Sequence, residues 1–128
     1  MNERRLHIVR HAFRATLEEQ DDPILWLVQT MHGAGGEGAV LLTGTAVAYG
    51  VSGQDASGLA FGARRQTQPP RIGQDLERMQ ATGTPVYYVN EDASERGIDP
   101  SMLVPGLIGI DREKVADLLD GYGRVFAW

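Results

Sequence analysis

Apolar positions fall into short, well-separated runs whose period changes along the chain. Leu6 to Val9 is aliphatic and preceded by charge, which predicts a buried strand. Asp22 followed by Pro23 supplies a helix cap and a proline at the first helical position, and Ile24, Leu27, Val28 and Met31 then recur at helical spacing. The glycines between Gly33 and Gly38 end that helix. Ala39 to Leu42 is an unbroken apolar run between glycines, as in a central strand covered on both faces. Thr45 to Tyr49 reads as a helical turn or two.

From about Gly50 to Pro70 periodicity is lost among Gly, Ser, Gln and Ala, predicting a long irregular loop. Ile72, Leu76 and Met79 mark the next helix, closed by Gly83. Val86 to Val89 reads as a strand, Asp92 to Arg96 as a short helix, and Leu107 to Ile110 as a further strand. Asp111 is placed to cap a last helix striped by Val115, Leu118 and Leu119, and Arg124 to Trp128 reads as a closing strand. Strands alternating with helices predict one α/β domain over 1–128, a three-layer sandwich around a mostly parallel sheet of about five strands.

Composition narrows the function classes. A chain of 128 residues with 42% hydrophobic and 23% charged positions has the balance of a globular domain able to bury a core. Seventeen acidic against twelve basic residues leave a net charge of -5, so no direct nucleic-acid binding is expected without a local basic patch. The first ten residues carry Glu3, Arg4, Arg5 and Arg10 and no apolar core of a leader, and no apolar run approaches the roughly 18 residues that span a bilayer. A cytoplasmic location without membrane contact is the expectation. Cysteine is absent, which removes disulfides, thiolate metal sites, persulfide carriers and cysteine nucleophiles together.

Several patterns invite chemistry. Gly33 to Gly38 matches a dinucleotide-binding spacing, but a helix precedes it and a strand follows, the reverse of what pyrophosphate binding needs. His7 and His11 are four apart in a stretch that reads as strand and loop, so they do not share a face, and no metal site is assigned. His11 lies just beyond the first strand, where open α/β sheets place their ligands. His32 sits at a helix end, beside terminal carbonyls. Arg64 and Arg65, with Arg71, form a basic group that reads as a solvated loop or a small anion contact. The carboxylate pairs Glu18 and Glu19, and Asp21 and Asp22, read as a solvated connection. Trp26 and Trp128 read as core or interface anchors.

Four segments carry a family resemblance: Leu6-His7; Leu41-Leu42-Thr43-Gly44-Thr45-Ala46-Val47; Val86-Tyr87-Tyr88-Val89-Asn90-Glu91-Asp92 leading to Glu95-Arg96-Gly97-Ile98; and Val125-Phe126-Ala127-Trp128. Together they resemble the DsrE/DsrF/DsrH sulfur-relay family, with the DsrH/TusB branch nearest. The resemblance spans most of the chain outside the 50–70 loop. It implies a compact α/β sandwich that forms homo-oligomers, or hetero-oligomers with DsrE-like and DsrF-like subunits, in tRNA 2-thiouridine formation or cytoplasmic sulfur oxidation, without a cofactor. It also implies a relay cysteine just after the strand at Val86 to Val89. Here Asn90 stands near that position, and an amide cannot carry a persulfide.

The expected role is a non-catalytic, cysteine-less subunit acting through assembly. The alternative is a small-molecule or anion-binding module whose crevice is lined from the strand ends by His11, Thr43, Thr45, Asn90 and Asp92. A third reading pairs His11 with Asp92 as acid and base.

Overall fold

A computed structural model describes residues 2–13, 22–71 and 73–128. Ile72, Glu18, Glu19 and Asp21, which the sequence reading invoked, lie outside the described residues. The strands are β1 (Arg5–Val9), β2 (Gly38–Leu42), β3 (Ala60–Phe61), β4 (Arg64–Arg65), β5 (Val86–Val89), β6 (Ile108–Ile110) and β7 (Arg124–Ala127). The α-helices are α1 (Pro23–Gly33), α2 (Gln74–Ala81), α3 (Asn90–Glu95) and α4 (Val115–Asp120), with 3-10 turns at Gly44–Gly50, Pro100–Met102 and Arg112–Lys114.

Five strands form one parallel sheet in the order β6-β5-β2-β1-β7. Helices lie on both sides, so the α/β architecture is the expected one. The central strands read as continuous apolar runs because both of their faces are covered: Ala39, Val40, Leu41 and Leu42 are all fully buried. On one face Val9, Val40, Leu42, Val86 and Tyr88 pack with Leu25 and Val28 of α1, Leu76 and Met79 of α2 and Ala93 of α3. On the other, Leu6, Ala39, Leu41 and Val89 pack with Tyr122 and the stripe of α4.

Local chemistry sets the helix starts. Asp22 caps α1, its Oδ1 accepting from the backbone N–H of Ile24 at 2.8 Å and of Leu25 at 3.0 Å. It is not solvated: only 3% of it is exposed, and its Oδ2 accepts a short hydrogen bond from the buried Tyr49 hydroxyl. Asp75 of α2, also buried, accepts from the Asp22 N–H at 3.4 Å, from Gln29 at 3.3 Å and from Arg78. This network ties α1 to α2 and to the 3-10 turn after β2.

Asp111 behaves otherwise than expected. It precedes the Arg112–Lys114 turn, yet its side chain caps no backbone N–H and instead accepts from the Asn90 amide at 2.9 Å. Trp26 is not a core anchor, since it is 54% exposed on α1, whose buried residues are Leu25 and Val28. Trp128 does anchor: its indole N–H donates to His7 Nδ1 at 3.2 Å, and His7, Phe126 and Trp128 stack in a row. Within the 50–70 connection β3 and β4 form a small antiparallel hairpin, with Phe61 opposite Arg64 and both exposed. Among the described residues no helix is long and apolar enough to cross a membrane.

Candidate functional site

The residues singled out for a crevice all come from segments at the carboxyl ends of β1, β2 and β5, because in a parallel sheet every strand delivers its following loop to the same edge. Asp92, in the first turn of α3, is the hub. Its Oδ2 accepts from the Gly44 N–H at 2.8 Å, strapping the loop after β2 to α3. Gly44 has φ +56, a backbone conformation suited to glycine that aims this N–H at the carboxylate. Asp92 Oδ1 accepts from Arg112 at 2.6 Å. Burial acts to raise the Asp92 pKa, but the hydrogen bonds from Gly44 and Arg112 and the charges of Arg112 and Arg96 outweigh it and hold the carboxyl below the ordinary range.

The remaining members are engaged separately. Thr45 donates from its hydroxyl to the Arg10 carbonyl at 3.3 Å, joining the ends of β1 and β2. Thr43 contributes through its backbone, whose N–H bonds the Val9 carbonyl at 3.0 Å. Asn90 opens α3 and turns its amide to Asp111. Its approach to β6 depends on Gly109, where an added Cβ would collide with the Asn90 side-chain Oδ1 and lie 3.0 Å from the Tyr88 hydroxyl. His11 is exposed and makes no hydrogen bond with any described residue.

The structure therefore straps Gly44 to Asp92, ties the adjacent Thr45 separately to the Arg10 carbonyl, and leaves His11 outside both contacts. Acid–base work by His11 with Asp92 is disfavoured chemically, since both Asp92 oxygens already accept from fixed donors and a carboxylate held ionised is a weak base.

Arg112 escaped the sequence reading. Besides Asp92, its guanidinium reaches Glu95 at 3.4 Å, and its backbone N–H lies 2.8 and 3.0 Å from the two Glu91 oxygens. The available signal was the spacing of acids along Glu91, Asp92 and Glu95, but the partner lies about a strand and a turn away in sequence. His32, expected at its own helix end, instead bonds the Thr82 carbonyl at the end of α2 at 2.8 Å.

Open cavities lie at both ends of the strands. One, of about 460 Å³, lies beside α3 and is lined by Tyr88, Asn90, Ser94, Gly97 and Asp99 among others. The other, of about 730 Å³, lies at the opposite edge of the sheet, near Arg4, Arg5 and the glycines Gly35 and Gly36. The glycine-rich segment thus sits at the amino ends of the strands, preceded by α1 and followed by β2. No group of His, Asp and Glu among the described residues is arranged to hold a metal ion.

With that geometry in hand, solved structures supply the comparison. The crystal structure of the ychN protein from E. coli matches with a TM-score of 0.74 at 19% identity, over 98% of this chain and 99% of that one. MTH1491, a protein of unknown function from Methanobacterium thermoautotrophicum, matches with a TM-score of 0.62 at 10% identity, over 98% and 99%. The shared fold is the DsrE/DsrF-like one. At these identities the likeness is one of fold. No protein-family model and no curated protein sequence matches the chain.

Proposed function

We propose that this chain is a cysteine-less subunit of a bacterial sulfur-relay assembly of the DsrH/TusB kind, serving tRNA 2-thiouridine formation or cytoplasmic sulfur oxidation by organising chains that carry the sulfur. One observation carries the reading: in a DsrE/DsrF-like fold, the residue directly after β5 is Asn90, bonded to Asp111, and the chain contains no cysteine. Persulfide transfer needs a thiolate that attacks and then leaves, and an amide does neither. The Asp92 framework then has a structural use, holding the carboxyl-end loops in a fixed shape for a neighbouring subunit.

The test is co-expression of the tagged chain with DsrE-like and DsrF-like subunits. A stable complex in which persulfide label appears only on those partners is expected. Failure to co-purify with either would overturn the reading.

A small-molecule reading draws on the cavity of about 460 Å³ beside Asn90. Of the five crevice residues, however, Asn90 alone lines it, and Thr45 and Asp92 spend their side chains on internal bonds. Fragment screening by NMR tests it: shifts clustered at Asn90, Ser94 and Gly97 would favour the module, and their absence would remove it.

A further inference from the structure

Two histidines at the amino ends of the strands have their proton positions fixed by what they bond. The Trp128 indole N–H can only donate, so His7 Nδ1, 3.2 Å from it, is the nitrogen without hydrogen and Nε2 carries the proton. The Thr82 carbonyl can only accept, so His32 Nε2, at 2.8 Å, carries the proton, and in the neutral ring Nδ1 is an acceptor. Both rings have a polar atom to spare. His7 is 2% exposed and makes no other hydrogen bond among the described residues. His32 Nδ1 is the one buried side-chain nitrogen or oxygen without a partner among them. Such an atom ordinarily marks a place where something else binds.

The two rings line one recess of about 10 Å³, room for about one water-sized group, together with the buried Thr84. This recess shares Arg5, Met31, Gly36 and Glu37 with the open cavity of about 730 Å³ and forms its floor. The outer volume is that of a small-molecule site. Arg5 stands at the junction, because Arg5 and His7 are two apart in β1 and project from the same face of the sheet. Its guanidinium forms no ion pair or hydrogen bond among the described residues. It lies close over Gly36, where an added Cβ would sit 2.6 Å from Nη1.

These atoms select the chemistry of an occupant. A group between the rings has to accept from His7 Nε2–H and donate to His32 Nδ1. A carboxylate has no proton to donate, an ammonium has no lone pair to accept with, and a metal ion does not bond a nitrogen that carries a proton. A hydroxyl does both. Beyond it, the Arg5 fork is shaped for a carboxylate. Arg4 is committed elsewhere, to the Gly121 carbonyl at 3.3 Å and to the Tyr122 ring. Glu3 and Glu37 also line the outer cavity, so one uncommitted guanidinium among two carboxylates suits a single negative charge and disfavours a phosphate dianion.

We infer that this cavity binds a small hydroxy acid of single negative charge, its hydroxyl between His7 and His32 and its carboxylate on Arg5. The site lies at the opposite end of the strands from Asn90, and the inference goes beyond the relay reading without resting on it.

NMR titration of the isotope-labelled full chain with glycolate, acetate and inorganic phosphate tests it. Glycolate should bind about tenfold more tightly than acetate, which leaves both ring nitrogens unmet, and more tightly than phosphate. The largest shifts should fall at Arg5, His7, His32 and Gly36. Arg5→Met should weaken glycolate at least tenfold. His32→Phe should bring glycolate down to the level of acetate and leave acetate itself unchanged, a split that loosened packing would not produce. The wild-type ratio needs no variant to fold. Glycolate no tighter than acetate, with water alone between the rings in a high-resolution crystal structure, overturns the inference, as do shifts that fall outside the recess. Co-purification with DsrE-like chains bears on the relay reading alone, so the two fail separately.

Discussion

Replacing Asp22 by alanine removes two kinds of bond at once. The Oδ1 cap on Ile24 and Leu25 is lost, a deletion that costs about 0.5–2 kcal/mol. The buried bond between the Tyr49 hydroxyl and Oδ2 is lost as well, and hydrogen bonds to charged groups contribute about 1.5–3 kcal/mol. Together the expected loss is about 2–5 kcal/mol. For a domain of this size each kcal/mol moves the melting midpoint by roughly 3–5 °C, so Tm should fall by about 6–25 °C. Tyr49→Phe removes only the second bond.

The double variant isolates the contact. Once Asp22 is alanine, the Tyr49 hydroxyl has lost that acceptor, and deleting it should cost markedly less than in the wild type, with a coupling of about 1–2 kcal/mol. Urea unfolding, followed by the fluorescence of Trp26 and Trp128, reads all four corners of the cycle. If Tyr49→Phe costs the same on both backgrounds, within about 0.5 kcal/mol, the contact carries no coupling and the reasoning is wrong.

Other outcomes follow from the same geometry. Burial and the neighbouring charge of Arg5 lower the His7 pKa; the unfolded chain then takes up the proton first, so stability is full above about pH 6.5 and declines as pH falls below it toward the depressed native value. His7→Gln should remove that slope from a series of melting curves at graded pH. Asp92→Ala should cost about 1.5–3 kcal/mol by releasing Gly44 and Arg112, and hydrogen exchange should show faster opening at Gly44, while unchanged protection there would refute the strap. Asn90→Cys would set a thiol beside the Asp111 carboxylate, which disfavours the thiolate; reaction with a disulfide reagent should be slower than for a free cysteine and should speed up when Asp111→Asn is added.

The elements were legible where one residue type has one physical use. Asp22-Pro23 forecast the start of α1 because few other pairs both cap and pre-set a first turn, and the unbroken run Ala39 to Leu42 forecast a strand covered on both faces. The stripe of α1 was rotated by about one position: Leu25 is buried and Ile24 only partly, because the helix faces a sheet and a second helix rather than one plane. Asp111 suits capping by composition, but the amide of Asn90 lies within reach and takes the carboxylate first. The Arg112 hub was illegible for a similar reason. An arginine after a strand has many solvated futures, and only the sheet order places it over α3. The hairpin was hidden by its brevity, two residues on each side.

The neighbour of β1 on its outer side is β7, with Arg5 in register with Arg124. A partner so remote in sequence means that, during synthesis, the ribosome has to deliver nearly the whole chain before β1 is flanked on both sides. Until then its outer row of N–H and C=O groups stays open to other nascent chains, a risk that short local pairings avoid. Chaperone capture should be strongest for ribosome-bound chains halted before residue 124 and should drop sharply once β7 clears the exit tunnel. Fragments lacking β7 are then expected to aggregate rather than persist as smaller folded versions of the protein.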